Sequence, residues 1–145
     1  MQWLDMYALK SEEQLDTDHV LAKNIYRKRL LTNGTGVVLL FGTINENTKY
    51  TSPLNLDNVV WCIVFSMILA DEMQKAGIRA FIGKLSMDKS SRLTYNETSA
   101  EASLQSAKTF IVRCRALVEN LQPHERLIEP VLTPRFAPTC SDDLL

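Results

Sequence analysis

The chain reads as an α/β protein organised around a parallel sheet, and three observations lead there. Short apolar runs at residues 37–44, 78–83 and 127–134 alternate with segments of helical periodicity. The segments between successive strands are long enough for right-handed helical crossovers, which bring the strands together in parallel. The long polar loops follow the strands rather than precede them, the side on which barrel enzymes carry their chemistry. Two architectures fit, an open doubly wound sheet or part of a TIM-like (β/α)8 barrel. No Gly-rich phosphate loop follows any strand, which weakens the dinucleotide-binding form of the open sheet. The expectation is an incomplete barrel domain over residues 1–145, with about three β/α units present.

Taken in order, Asp16, Thr17 and Asp18 form a helix-start signal, and apolar residues recur from Val20 to Leu31. Asn33-Gly34 stops that helix by supplying left-handed backbone. "VVLLFGTI", residues 37–44, is continuous and β-branched, the pattern of a strand buried on both faces. A polar stretch, 45–58, leads into "VVWCIVFSMILA", residues 59–70, and on through a helical pattern to Gly77. "IRAFIG", residues 78–83, is the second strand, followed by a long loop, 84–97. Thr98 and Glu101 form a capping box for a helix running to about Asn120, with Leu104, Ala107, Phe110, Ile111, Cys114, Leu117 and Val118 on one stripe. "LIEPVLTP", residues 127–134, is the third strand, and "TCSDDLL", residues 139–145, reads as the first turn of another helix.

Composition narrows the function classes. With 46% hydrophobic and 23% charged residues and a net charge of −1, the 145-residue chain has an ordinary globular balance. It has no basic footprint for nucleic acid and no polybasic face for a membrane. The apolar run at 59–70 is far shorter than the roughly 20 residues needed to span a bilayer. The start "MQWLDMYALK" lacks the basic and apolar regions of a secretory signal. Three scattered cysteines, Cys62, Cys114 and Cys140, fit reduced thiols in a cytoplasmic protein rather than a disulfide framework.

Few residue patterns carry chemistry. The two histidines, His19 and His124, lack an HxH or HExxH partner, and no GxSxG motif occurs, so the residues present nominate no metal ligand and no catalytic group. Asp71-Glu72, Glu12-Glu13 and Asp142-Asp143 read as solvated faces or helix starts. The candidates are Arg135 and Phe136, set between Pro134 and Pro138 just beyond the third strand. Side chains at the C-terminal end of a parallel strand face the mouth where ligands bind. A guanidinium fork matches two adjacent acceptors on a planar ring, a phenyl ring adds stacking, and the prolines restrict the backbone. A surface arginine beside a core phenylalanine would use the same residue types without function.

The segments "WLDMYALKSEE" (3–13), "LLTNGTG" (30–36), "GIRAFIGKLSMD" (77–88), "YNETSAEASLQSAKTFI" (95–111) and "EPVLTPRFAPTCSDDLL" (129–145) occur in the order seen in another group of proteins. Along almost its whole length the chain resembles the guanine deaminase family of the amidohydrolase superfamily, zinc-dependent barrel hydrolases. The stretches "RAFIGKLSMD" and "LTPRFAPTCS" are the most specific of these.

The resemblance implies an amidohydrolase-type barrel and the conversion of guanine and water to xanthine and ammonia. It implies that Arg135 and Phe136 bind the substrate, because "TPRF" matches the family motif letter for letter. It also implies a zinc cofactor and a homodimer for the full-length enzyme. The family's HxH would precede Met1, and its later histidines, glutamate and aspartate would follow Leu145, so this chain alone is expected to bind no zinc and to be inactive. Residues 41–43 read "FGT" where the family has "FAT", and 45–66 stand as an insert in the family's usual connection. Another amidohydrolase acting on a pyrimidine, a triazine or a modified adenosine is the enzymatic alternative. A small α/β interaction module is the non-enzymatic one.

Overall fold

A computed structural model describes residues 27–42, 61–90 and 96–145, with the backbone alone at 61–65. The helix expected from Asp16 onward therefore lies outside the described residues except for its end, α1 (Lys28–Thr32). Gly34 takes φ 71°, and the amides of Gly34 and Thr35 donate to the carbonyls of Leu31 and Leu30 at 3.0 and 2.9 Å. This paired closure satisfies carbonyls that the end of a helix leaves open. Strand β1 (Val37–Phe41) follows.

The apolar run before Asp71 is a helix, α2 (Trp61–Ala76). It closes as α1 does, with Gly77 at φ 72° and the amides of Gly77 and Ile78 donating to Gln74 and Met73. Of the expected insert 45–66, residues 45–60 lie outside the described residues, and 61–66 belong to α2. Strand β2 (Arg79–Gly83) pairs in parallel with β1, Val37 opposite Arg79 through Phe41 opposite Gly83. On its other side β2 pairs in parallel with β4 (Ile128–Pro130). The sheet order is thus β1-β2-β4, three parallel strands rather than a closed barrel among the described residues.

Helix α3 (Ala100–Val118) connects β2 to β4 across the same face as α2. Its N-cap is Ser99, not Thr98, and the Ser99 hydroxyl accepts the Ala102 amide at 3.1 Å. Either residue type can cap, and the extended backbone at Ser99 decides between them. At the far end Arg126 donates to the carbonyls of Glu119 and Leu121, closing the helix with a cation where its dipole is negative. Beyond a 3-10 turn (Pro123–Glu125), the Gln74 side chain accepts the Leu127 amide and donates to the Glu125 carbonyl. That amide bridge fixes the end of α2 to the entry of β4.

The core lies between the helices and one face of the sheet, where Leu69 and Met73, Ala80 and Ile82, Phe110 and Cys114, and Ile128 are buried together. Burying a side chain such as Phe110 or Leu69 contributes about 1.5–3 kcal/mol. The helix stripe is shifted from the expected one: Leu104 and Leu117 are exposed, while Ser103 and Ser106 are buried. Strand β1 is likewise not buried on both faces. Leu40 is buried beneath the helices, whereas Val37, Leu39 and Phe41 stand exposed on the opposite face beside Phe81. A strand covered on one side only alternates in and out, since successive side chains point to opposite faces.

Candidate functional site

Beyond the C-terminal end of the sheet, two strands continue after short interruptions. β2 breaks at Lys84 and resumes as β3 (Leu85–Ser86), and β4 breaks at Val131-Leu132 and resumes as β5 (Thr133–Pro134). These extensions pair in parallel, Leu85 opposite Thr133 and Ser86 opposite Pro134. Arg135 and Phe136 come immediately after β5, past the strand ends, where the sequence places them.

Residues 84–89 act as a rail for residues 133–141. The Thr133 hydroxyl donates to the Lys84 carbonyl at 2.8 Å, and the Arg135 amide to the Ser86 carbonyl at 3.0 Å. Farther on, the Lys89 amide donates to the Thr139 carbonyl at 3.0 Å. Asp88 accepts the Ser141 amide at 2.7 Å and the Ser141 hydroxyl on its other oxygen. Between these ties a 3-10 turn (Ala137–Thr139) folds back, and the Phe136 carbonyl accepts both the amide and the hydroxyl of Thr139. The result is a backbone fixed on both sides of Arg135-Phe136. Phe136 itself keeps 51% of its surface exposed and Arg135 is half-buried.

The rail has its own anchor. Lys84 and Glu97 are buried, 1% and 5% exposed, and the Lys84 ammonium donates to Glu97 Oε1. Glu97 Oε2 accepts the Met87 amide at 3.0 Å and the Ser103 hydroxyl. In return the Glu97 amide donates to the Met87 carbonyl at 3.0 Å. A buried ion pair holds only when such additional bonds satisfy its remaining polar atoms. Sequence reading placed Lys84 and Glu97 at the two ends of a polar loop and missed the pair. The one available signal was a lysine placed directly after the strand at 78–83.

Among the described residues, the other titratable groups do not gather into a reactive cluster. Glu72, read as a solvated face, is buried, with Arg27 at 3.5 Å, while Asp71 pairs with Lys75 one turn along α2. Burial pushes the Cys114 thiol up to about 12, with the Glu129 charge adding to the effect. That thiol stays protonated at neutral pH. Among the described residues no three His, Cys, Asp or Glu side chains gather to hold a metal, so these residues do not fit a zinc site. His19 lies outside the described residues, and His124 sits exposed in the Pro123–Glu125 turn. A surface cavity lined in part by Phe81, Val112, Arg115 and Glu129 includes neither Arg135 nor Phe136. No described helix is long and apolar enough to cross a membrane.

The fold and the site together define a parallel α/β unit whose candidate ligand wall follows its third parallel strand. Comparison with known proteins shows that the chain is similar to guanine deaminases along its entire length. It is 33% identical over 148 residues to a protein of Schizosaccharomyces pombe named "Probable guanine deaminase", covering 100% of this chain and 24% of that one. It is also 33% identical over 148 residues to the guanine deaminase of Dictyostelium discoideum, covering 100% of this chain and 27% of the relative. Among solved structures, guanine deaminase from C. acetobutylicum with bound guanine in the active site matches with a TM-score of 0.71 and 26% identity. That match covers 99% of this chain and 29% of the other. The chain thus spans about a quarter of the length of the curated relatives it matches. No family model matches it.

Proposed function

We propose that this chain supplies one wall of the base-binding site in a guanine deaminase built as an eight-stranded amidohydrolase barrel. Arg135 directs its donors at the carbonyl edge of guanine, and Phe136 stacks on the ring. The observation that carries this reading is the placement of Arg135-Phe136 beyond the parallel strand ends, on backbone tied to the rail at 3.0 Å. The similarity to a structure solved with guanine bound supports the choice of ligand.

The chemistry follows from the groups. A guanidinium fork pairs with the adjacent oxygen and nitrogen acceptors of guanine, as it does when arginine reads that base in a nucleic acid. Stacking on an aromatic ring is worth about 1–3 kcal/mol per base. The overall reaction is hydrolysis of guanine to xanthine and ammonia, with zinc as the family's metal. The described residues do not fit that metal, so the role assigned to this chain is to bind and orient the base. By itself the chain is assigned no hydrolytic activity. A cytoplasmic homodimer is the assembly the resemblance implies for the full-length enzyme, and the same resemblance implies that residues 45–66 are an addition to the family's connection.

A graft tests the reading. The 145-residue chain replaces the matching quarter of the Dictyostelium discoideum enzyme, and guanine hydrolysis is followed. The expected result is guanine hydrolysis that falls when Arg135→Ala is introduced, with zinc content unchanged. Activity indifferent to Arg135→Ala would make "TPRF" no more than a strand end. A second graft lacking residues 45–60, which leaves α2 whole, is expected to stay soluble and active.

A further inference from the structure

We infer that Lys84, Glu97 and Ser103 form a positioning device for the Arg135-Phe136 wall, acting through β3. This inference rests on the proposed base-binding role and names residues that set its geometry. Glu97 grips both flanks of β3 at once, the Lys84 ammonium on one side and the Met87 amide at 3.0 Å on the other. Between those grips lies Ser86, whose carbonyl accepts the Arg135 amide at 3.0 Å. Lys84 contributes a second tie through its carbonyl, which accepts the Thr133 hydroxyl at 2.8 Å. One carboxylate therefore fixes a short extended segment whose backbone in turn fixes the residues on either side of β5.

Burial makes the device stiff. Lys84 and Glu97 are almost fully enclosed, and the Ser103 hydroxyl on α3 gives Glu97 a third donor. A charge held by three donors in a low-dielectric interior is costly to unpair, which resists displacement of any one of them. Ser103 lies in the first turn of α3, so the helix start, the loop before it and the ligand wall share one anchor. None of the three side chains faces the base in this scheme. They act on it only by holding Ser86, and through Ser86 the backbone of Arg135.

The test uses Glu97→Gln, which keeps the shape and an acceptor for the Met87 amide but removes the charge. Amide hydrogen exchange is measured on the full 145-residue chain, comparing Arg135 with Ala80 and Val131, whose amides are bonded within the main sheet. The expected result is at least about tenfold faster exchange at Arg135 with Ala80 and Val131 unchanged. In the grafted enzyme the same substitution is expected to raise KM for guanine about tenfold, and Glu97→Asp to recover part of that loss. Where Glu97→Gln fails to fold, Ser103→Ala removes a single donor and is expected to move the same readouts in the same direction by a smaller factor. Unchanged exchange at Arg135, or equal acceleration at all three amides, overturns the inference. An unmutated graft without activity would overturn the base-binding reading instead, while exchange at Arg135 still judges the anchor.

Discussion

A Cβ placed on Gly83 would lie 2.2 Å from the side chain of Thr133. The two residues face each other where the main sheet gives way to its extensions. The absence of a side chain at position 83 is what lets β5 approach closely enough for the Thr133 hydroxyl to reach the Lys84 carbonyl. Gly83→Ala is therefore expected to destabilise the chain by about 1–3 kcal/mol, the usual cost of overpacking. Chemical denaturation measures it. Adding Thr133→Ala should recover only part of the loss, because the Thr133 Cβ itself would sit 2.7 Å away.

A similar contact joins Gly42 and Ser66, with opposite consequences for the two residues. The Ser66 hydroxyl is buried and has no hydrogen-bond partner among the described residues. Ser66→Ala is expected to leave stability unchanged or raise it by about 1 kcal/mol, since an unmade buried hydrogen bond carries a desolvation cost. Gly42→Ala should destabilise, because its Cβ would fall 2.0 Å from Ser66 Oγ and 3.0 Å from the Gly83 carbonyl. Thermal melting of both single variants and the double variant checks this. The double variant should melt above Gly42→Ala alone.

Cys114 gives a pH prediction. Its thiol is raised from 9.0 to about 12 in the folded chain, chiefly by burial, so the native state keeps a proton that the unfolded state releases. The resulting stability is complete below about pH 9 and declines as pH rises toward 12. Melting temperature measured across that window should fall less steeply in Cys114→Ala than in the unaltered chain. With Cys62 and Cys140 replaced by serine, the remaining thiol should react with a thiol reagent only as fast as the chain unfolds.

For the ligand wall, the two residues should separate kinetically in the grafted enzyme. Phe136→Ala is expected to weaken guanine binding by about 1–3 kcal/mol through lost stacking, seen mainly as a higher KM. Arg135→Ala should raise KM and lower kcat together, because the lost donors leave acceptors unpaired at about 1–3 kcal/mol each. Parallel kinetics and zinc analysis distinguish these losses from a damaged metal site. Equal and negligible effects would remove both residues from the site.

The parallel α/β plan was legible because its signals are local. The glycines at 34 and 77 stop helices by adopting φ values near 70°, and both were readable as punctuation. The apolar runs gave the three strands of the main sheet in their correct chain order. Coverage was harder to read: β1 is apolar throughout, yet only a helical layer on one side decides which of its residues are buried. The position of Arg135-Phe136 could be inferred from strand order alone. Its anchor could not, because Lys84 and Glu97 are brought together by the fold from 13 positions apart along a segment that reads as polar loop.

The uncovered side of the sheet has a practical consequence for anyone handling this chain. Among the described residues, Val37, Leu39, Phe41 and Phe81 form an exposed apolar surface on the side away from α2 and α3. Among the described residues, β1 and β4 each also leave one side without a strand neighbour. Two molecules meeting face to face bury that apolar surface, and two meeting edge to edge gain backbone pairing. Encounter frequency grows with the square of concentration, whereas intramolecular folding does not depend on it. Yield should therefore depend on dilution, and rapid refolding at low concentration should recover more monomer than slow dialysis at high concentration.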